Sequence, residues 1–113
     1  MKIATPDIKI KCKVSHLNTL IRYLAELLTN YDQYIKATTQ ENKNGKEICK
    51  YHLQTISEKV SKLIFNNTTY KDIKCTLKLN HAERLTLNTI TSYYPLPLDI
   101  NFIEYEIKNG LLK

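Results

Sequence analysis

The sequence predicts an α+β domain of order β-α-α-β-α-α, internally duplicated. A two-stranded sheet is covered on one face by helical hairpins, with approximate two-fold symmetry. Three observations lead there. Two short segments alternate apolar residues with outward polar ones, mostly lysine. The stretches after each segment step at the helical period. The two alternating segments are also near copies of one another. At 113 residues the chain can build one hydrophobic core but not two, so positions 1–113 form a single domain.

The first alternating segment is DIKIKCKV, from Asp7 to Val14, with Ile8, Ile10, Cys12 and Val14 on one face and Lys9, Lys11 and Lys13 on the other. A period of two is that of a half-buried strand. Ser15 stands where an N-cap is wanted. From Leu17 the residues Ile21, Leu24, Leu28, Tyr31 and Ile35 follow at steps of four and three. That stripe predicts a helix to about Ala37. The polar run TTQENKNG, Thr38 to Gly45, reads as a loop. Cys49, Leu53, Ile56, Val60 and Leu63 then mark a second helix from about Lys46 to Phe65, packed antiparallel to the first.

Asp72 to Leu79 alternates again, with Ile73, Cys75, Leu77 and Leu79 inward and Lys74, Thr76 and Lys78 outward. Asn80 followed by Glu83 has the spacing of a capping box. The next run, LTLNTITSYY from Leu85 to Tyr94, fits a strand or a helix when taken alone. The repeat decides for the helix. At an offset of 65, six of fifteen positions are identical between Asp7–Ile21 and Asp72–Thr86: Asp7/Asp72, Ile8/Ile73, Lys9/Lys74, Lys13/Lys78, His16/His81 and Leu20/Leu85. Composition alone gives about one such match. Ser15 and Asn80 share a capping role in this alignment. One repeat unit spans about 7–71 and a shorter one about 72–113. Pro95 to Leu98 is a stiff connector, Asp99 an N-cap, and Ile100, Ile103 and Ile107 the stripe of a last helix. Asn109-Gly110 ends that helix, with Leu111 set for the apolar contact that follows a glycine cap.

Function is less legible. The net charge is +6, with a surplus confined to residues 1–78, which hold 14 basic and 7 acidic side chains. Only Arg22 and Arg84 are arginine, the side chain best suited to phosphate and guanine, and part of the lysine excess fits an AT-rich coding bias. The chain has no glycine-rich phosphate loop, no GxSxG, no HExxH and no acidic pair on one face, so no catalytic or cofactor-binding residue is assigned and an enzyme is not expected. Cys12, Cys49 and Cys75 form no CxxC and are expected to be reduced. His16 and His81 invite a metal site, but a pair lacks the third and fourth ligands, so no metal is assigned and a role at the strand-to-helix corner is preferred. The amino-terminal run lacks the apolar core of a signal peptide, which makes the expected location cytoplasmic.

The leading expectation is a small protein-interaction module, homodimeric because a two-stranded sheet leaves two open edges. Tyr93, Tyr94, Leu96 and Leu98 are its candidate protein contacts, and no membrane is involved. An accessory protein of a phage or mobile element would suit the size and composition. The alternative is a nucleic-acid-binding module whose surface is the strand lysines Lys9, Lys11, Lys13, Lys74 and Lys78.

Overall fold

The computed structural model describes residues 7–31, 43–67 and 74–111. In chain order these form β1 (Ile8–Lys13), α1 (Val14–Thr29), α2 (Lys43–Asn66), β2 (Lys74–Leu79), α3 (His81–Tyr93), a 3-10 turn (Leu98–Ile100) and α4 (Asn101–Leu111). The domain is α+β, and β1 and β2 make a two-stranded antiparallel sheet in which Ile8 faces Leu79 and Lys13 faces Lys74.

The alternation in each strand separates a core face from a solvent face, as its period predicts. Ile10, Cys12, Cys75, Leu77 and Leu79 are buried, and they join Leu17, Leu20 and Leu24 of α1, Leu53, Ile56 and Val60 of α2, Leu87 and Ile90 of α3, and Ile103 and Ile107 of α4 in one core. Each fully buried aliphatic side chain contributes roughly 1.5–3 kcal/mol against leaving it in water. Contacts across the halves complete the packing: α2 lies on β2 and α3, whereas α4 lies on β1. The segment after Asn80 is a helix, the state expected for it from its likeness to the segment after Val14.

Several boundaries differ from the sequence reading. Val14 is the first residue of α1 and Lys13 its N-cap, so Ser15 lies inside the first turn and does not cap. The orphan Lys13 N–H is taken instead by His16 Nδ1 at 3.1 Å. α1 and α3 therefore begin 67 positions apart (14 and 81), not at the repeat offset of 65. α1 ends at Thr29, with Asn30 as its C-cap donating both its backbone N–H and its Nδ2 to the Glu26 carbonyl; the stretch expected to carry the helix on to Ala37 lies, beyond Tyr31, outside the described residues. Ile35, Ala37 and most of the expected loop lie outside the described residues. Gly45 falls within α2 rather than before it. Asp99 sits in the 3-10 turn and accepts from the Thr19 hydroxyl at 2.8 Å instead of capping α4. α4 continues through Gly110 to Leu111, since nothing in its backbone adopts the positive φ that a glycine cap uses.

The capping box of α3 is present and larger than expected. Asn80 Oδ1 accepts from the Glu83 N–H at 2.8 Å, and Glu83 Oε1 accepts from the Asn80 N–H at 3.0 Å. Glu83 is buried, and it also accepts from Thr55 Oγ1 at 2.7 Å and from Lys59 Nζ at 2.5 Å. Burial by itself would push this carboxyl up. The bonds donated by Lys59, the Asn80 amide and Thr55 outweigh it and hold Glu83 below the ordinary carboxylate range.

Because the folded form holds Glu83 ionised more firmly than the unfolded chain does, its contribution is present above the ordinary carboxylate pKa and is lost as acid protonates the folded form. Glu83→Ala is expected to cost about 2–3 kcal/mol at neutral pH, since it breaks the capping box and removes a buried acceptor shared by the Asn80 N–H, Thr55 and Lys59. Its penalty should shrink on titration to strongly acidic pH. Urea unfolding of both proteins across that range checks it; a penalty independent of pH contradicts the assignment.

Candidate nucleic-acid interface

The face of the sheet opposite the core carries only side chains from the alternate register. Six residues project from it in three cross-strand rungs: Lys9 with Lys78, Lys11 with Thr76, and Lys13 with Lys74. All are exposed except the half-buried Lys13. Every lysine expected on this surface is therefore brought to one face, within a ribbon two strands wide and about 20 Å long.

The rungs are of the close kind. The Lys13 N–H is taken by His16 Nδ1 at 3.1 Å and not by Lys74, and the Lys78 carbonyl accepts from Lys59 Nζ at 3.1 Å. An antiparallel ladder alternates hydrogen-bonded and non-hydrogen-bonded rungs, so all three lysine rungs are non-hydrogen-bonded, with opposing Cα atoms about 4.5 Å apart. Cationic side chains at that separation repel one another. Asp7 meets Lys78 at 3.5 Å at one end of the ribbon. Both partners are largely exposed, so this pair screens little of the field.

One further lysine, Lys62, extends the basic surface round the edge of β2, beside Lys59, whose ammonium is paired with Glu83. Lys59 and Lys62, with Leu63 and Asn66 of α2, face Thr76, Leu77 and Lys78 across an open groove of about 290 Å³. Nothing in the sequence links these α2 residues to the strand face, because the link is the docking of α2 on β2. Arg84, which looks like an ordinary helix residue, is buried and donates its Nε to the Ile107 carbonyl at 3.0 Å, near the carboxyl end of α4.

The other candidates are dispersed. His16 is at the start of α1 and His81 at the start of α3, each following the carboxyl end of its own strand. Antiparallel pairing sets those ends at opposite limits of the sheet, so the histidines do not meet. His16 packs edge-on against Phe102 with ring centroids 4.9 Å apart, tying α1 to α4. No group of three His, Cys, Asp or Glu among the described residues is placed to hold a metal ion. Cys12 and Cys75 face each other across the sheet on the core side, both as free thiols, and burial followed by the neighbouring Cys75 pushes Cys12 up to about 11.

Of the expected protein contacts, Leu96 is in the core at 6% exposure, because the connector folds its side chain beneath the chain. Tyr94 is half-buried and its carbonyl accepts from the hydroxyl of the half-buried Tyr23. Burial, reinforced by the Glu104 carboxylate, holds the Tyr23 phenol well above its ordinary pKa. Tyr93 and Leu98 are exposed. No helix among the described residues is long and apolar enough to cross a membrane.

No family model, curated protein or solved structure matches the chain.

If the lysine rungs carry unrelieved repulsion, replacing one member by an acid stabilises the fold. Lys13→Glu, opposite Lys74, is expected to gain about 0.5 kcal/mol at low salt, raising the melting temperature by about 2 °C. The gain should fade as salt is added. A calorimetric scan at two ionic strengths checks this; a loss of stability at low salt contradicts the crowding of the rungs.

Proposed function

We propose that the protein is a nucleic-acid-binding module, not an enzyme, that seats its lysine-faced ribbon in the major groove of duplex DNA. One observation carries the reading: three alternate cross-strand rungs of outward side chains, five of the six being lysine, on a ribbon whose other face packs on the core. A crowded row of like charges weakens a fold, and an anionic partner removes that penalty on binding. The shape agrees. The major groove of B-DNA is about 12 Å wide and admits a two-stranded β-ribbon, whereas strands about 4.8 Å apart make a ribbon of that gauge. The described helices α1 to α4 all pack against the sheet.

The same reading includes the duplication. Two β-α-α units related by an approximate two-fold axis would pair their strands about a rung of equivalent residues. The register has such a rung, since Lys11 and Thr76 are 65 positions apart. The crossed packing of α2 on β2 and of α4 on β1 fits that relation as well. The unequal helix starts and the longer α2 are where the units have diverged.

One chain supplies both strands, so the ribbon needs no second copy. Pairing either edge with that of a copy would set lysine beside lysine, which disfavours a strand-edge homodimer. A protein-contact role is left with Tyr93 at 59% and Leu98 at 90% exposure, since Leu96 belongs to the core.

The test is a titration with duplex and single-stranded DNA at two salt concentrations. Duplex binding should weaken steeply with salt, and the triple change Lys11→Glu, Lys13→Glu and Lys78→Glu should abolish it while the circular dichroism stays native. Absence of binding at low salt sinks the proposal. Equal affinity for single strands removes the groove from it.

A further inference from the structure

Seated in a major groove, the ribbon presents a reading head whose symmetry runs from residue to residue along both strands. Resting on that seating and on the two-fold relation between the units, we infer that the preferred site is a short near-palindrome. It has symmetry-related guanines at its two ends and an asymmetric centre, and Lys11 and Thr76 are the residues that set the centre.

The register supplies the symmetry. Shifting by 65 takes Lys9 to Lys74 and Lys13 to Lys78, so the two outer rungs, Lys9 with Lys78 and Lys13 with Lys74, exchange places under the axis. The outer positions of the head are thus alike at both ends. The central rung is not alike, because the axis takes Lys11 onto Thr76.

The chemistry supplies the bases. A lysine ammonium has three donors and no acceptor. In the major groove it is satisfied best by guanine, whose O6 and N7 are adjacent acceptors. Two-fold-related lysines therefore select a guanine on one DNA strand at one end and on the other strand at the opposite end, which is a palindrome. Threonine differs from lysine in both respects that matter here. Its hydroxyl can donate or accept, and its methyl can meet that of thymine. Lys11 and Thr76 cannot favour the same base on the two DNA strands, so the centre departs from the palindrome.

The spacing supplies the length. Successive outward rungs lie two residues apart, about 6.8 Å, so the outer rungs are about 14 Å apart. That equals about four base-pair steps at 3.4 Å each, a core of about five base pairs.

Selection from a random duplex pool tests the inference, using the full chain beside the variants Thr76→Lys and Lys11→Thr. Both exposed substitutions should leave the circular dichroism native, with the salt dependence lessened in Lys11→Thr and steepened in Thr76→Lys by about one charge. The native chain is expected to enrich outer guanines about the centre, each worth about tenfold in affinity over a mismatch. Both variants, having identical central residues, should return fully palindromic sites with the same outer guanines. Salt-sensitive duplex binding without an enriched motif overturns the inference and leaves the duplex-binding proposal standing. The same central bases in all three selections also overturn it. Failure to bind duplex at all sinks both.

Discussion

The antiparallel pairing of β1 with β2 is the constraint on which the rest depends. Each half of the chain contributes one strand, and a single strand exposes a row of unpaired backbone groups and an apolar face with nothing to pack on. Pairing joins Ile10, Cys12, Cys75, Leu77 and Leu79 into one surface, and that surface is the floor on which all four helices sit. It also fixes the other face. Because successive side chains point to opposite sides, burying those residues places Lys9, Lys11, Lys13, Lys74 and Lys78 together in solvent. A slip of one residue in either strand would bury its lysines and is excluded by the cost of desolvating them.

The helices are fastened both within and across the halves. Glu83 of α3 gathers Thr55 and Lys59 of α2, and His16 of α1 meets Phe102 of α4. Arg84 of α3 reaches the last turns of α4, where the carbonyl ends favour a cation. These ties make the support behind the ribbon continuous, which matters for a surface whose own side chains repel. The lysine face is held open by the packing of the core, so the face can keep a charge pattern that costs stability.

Much of this was legible in the alternation and in the repeat. The inward and outward sets of both strands, the two-stranded sheet and the helical state of the segment after Asn80 all followed from period and from self-similarity. Asn80 with Glu83 announced its own cap. The misses share a cause. Ser15 has the composition of a cap, but the chain turns at Lys13, where His16 serves the orphan amide. Asp99 likewise resembles a cap, yet Thr19, 80 residues away, claims its carboxylate. Leu96 between two prolines looks exposed, and the fold of the connector tucks it into the core. Local chemistry offers such residues several partners, and distant ones can win.

The sequence by itself determined which residues point the same way, because side-chain direction in a strand or helix is a matter of local period. It determined that lysines would stand outside and aliphatic residues inside, since the transfer of each to or from water decides that without reference to neighbours. Only the tertiary structure decided which rows adjoin. The register placed Lys11 against Thr76 and set the two histidines at opposite ends of the sheet. The docking of α2 brought Lys59 and Lys62 to the edge of β2. Adjacency between segments 65 residues apart depends on packing summed over the whole core, and no local pattern in the chain encodes it.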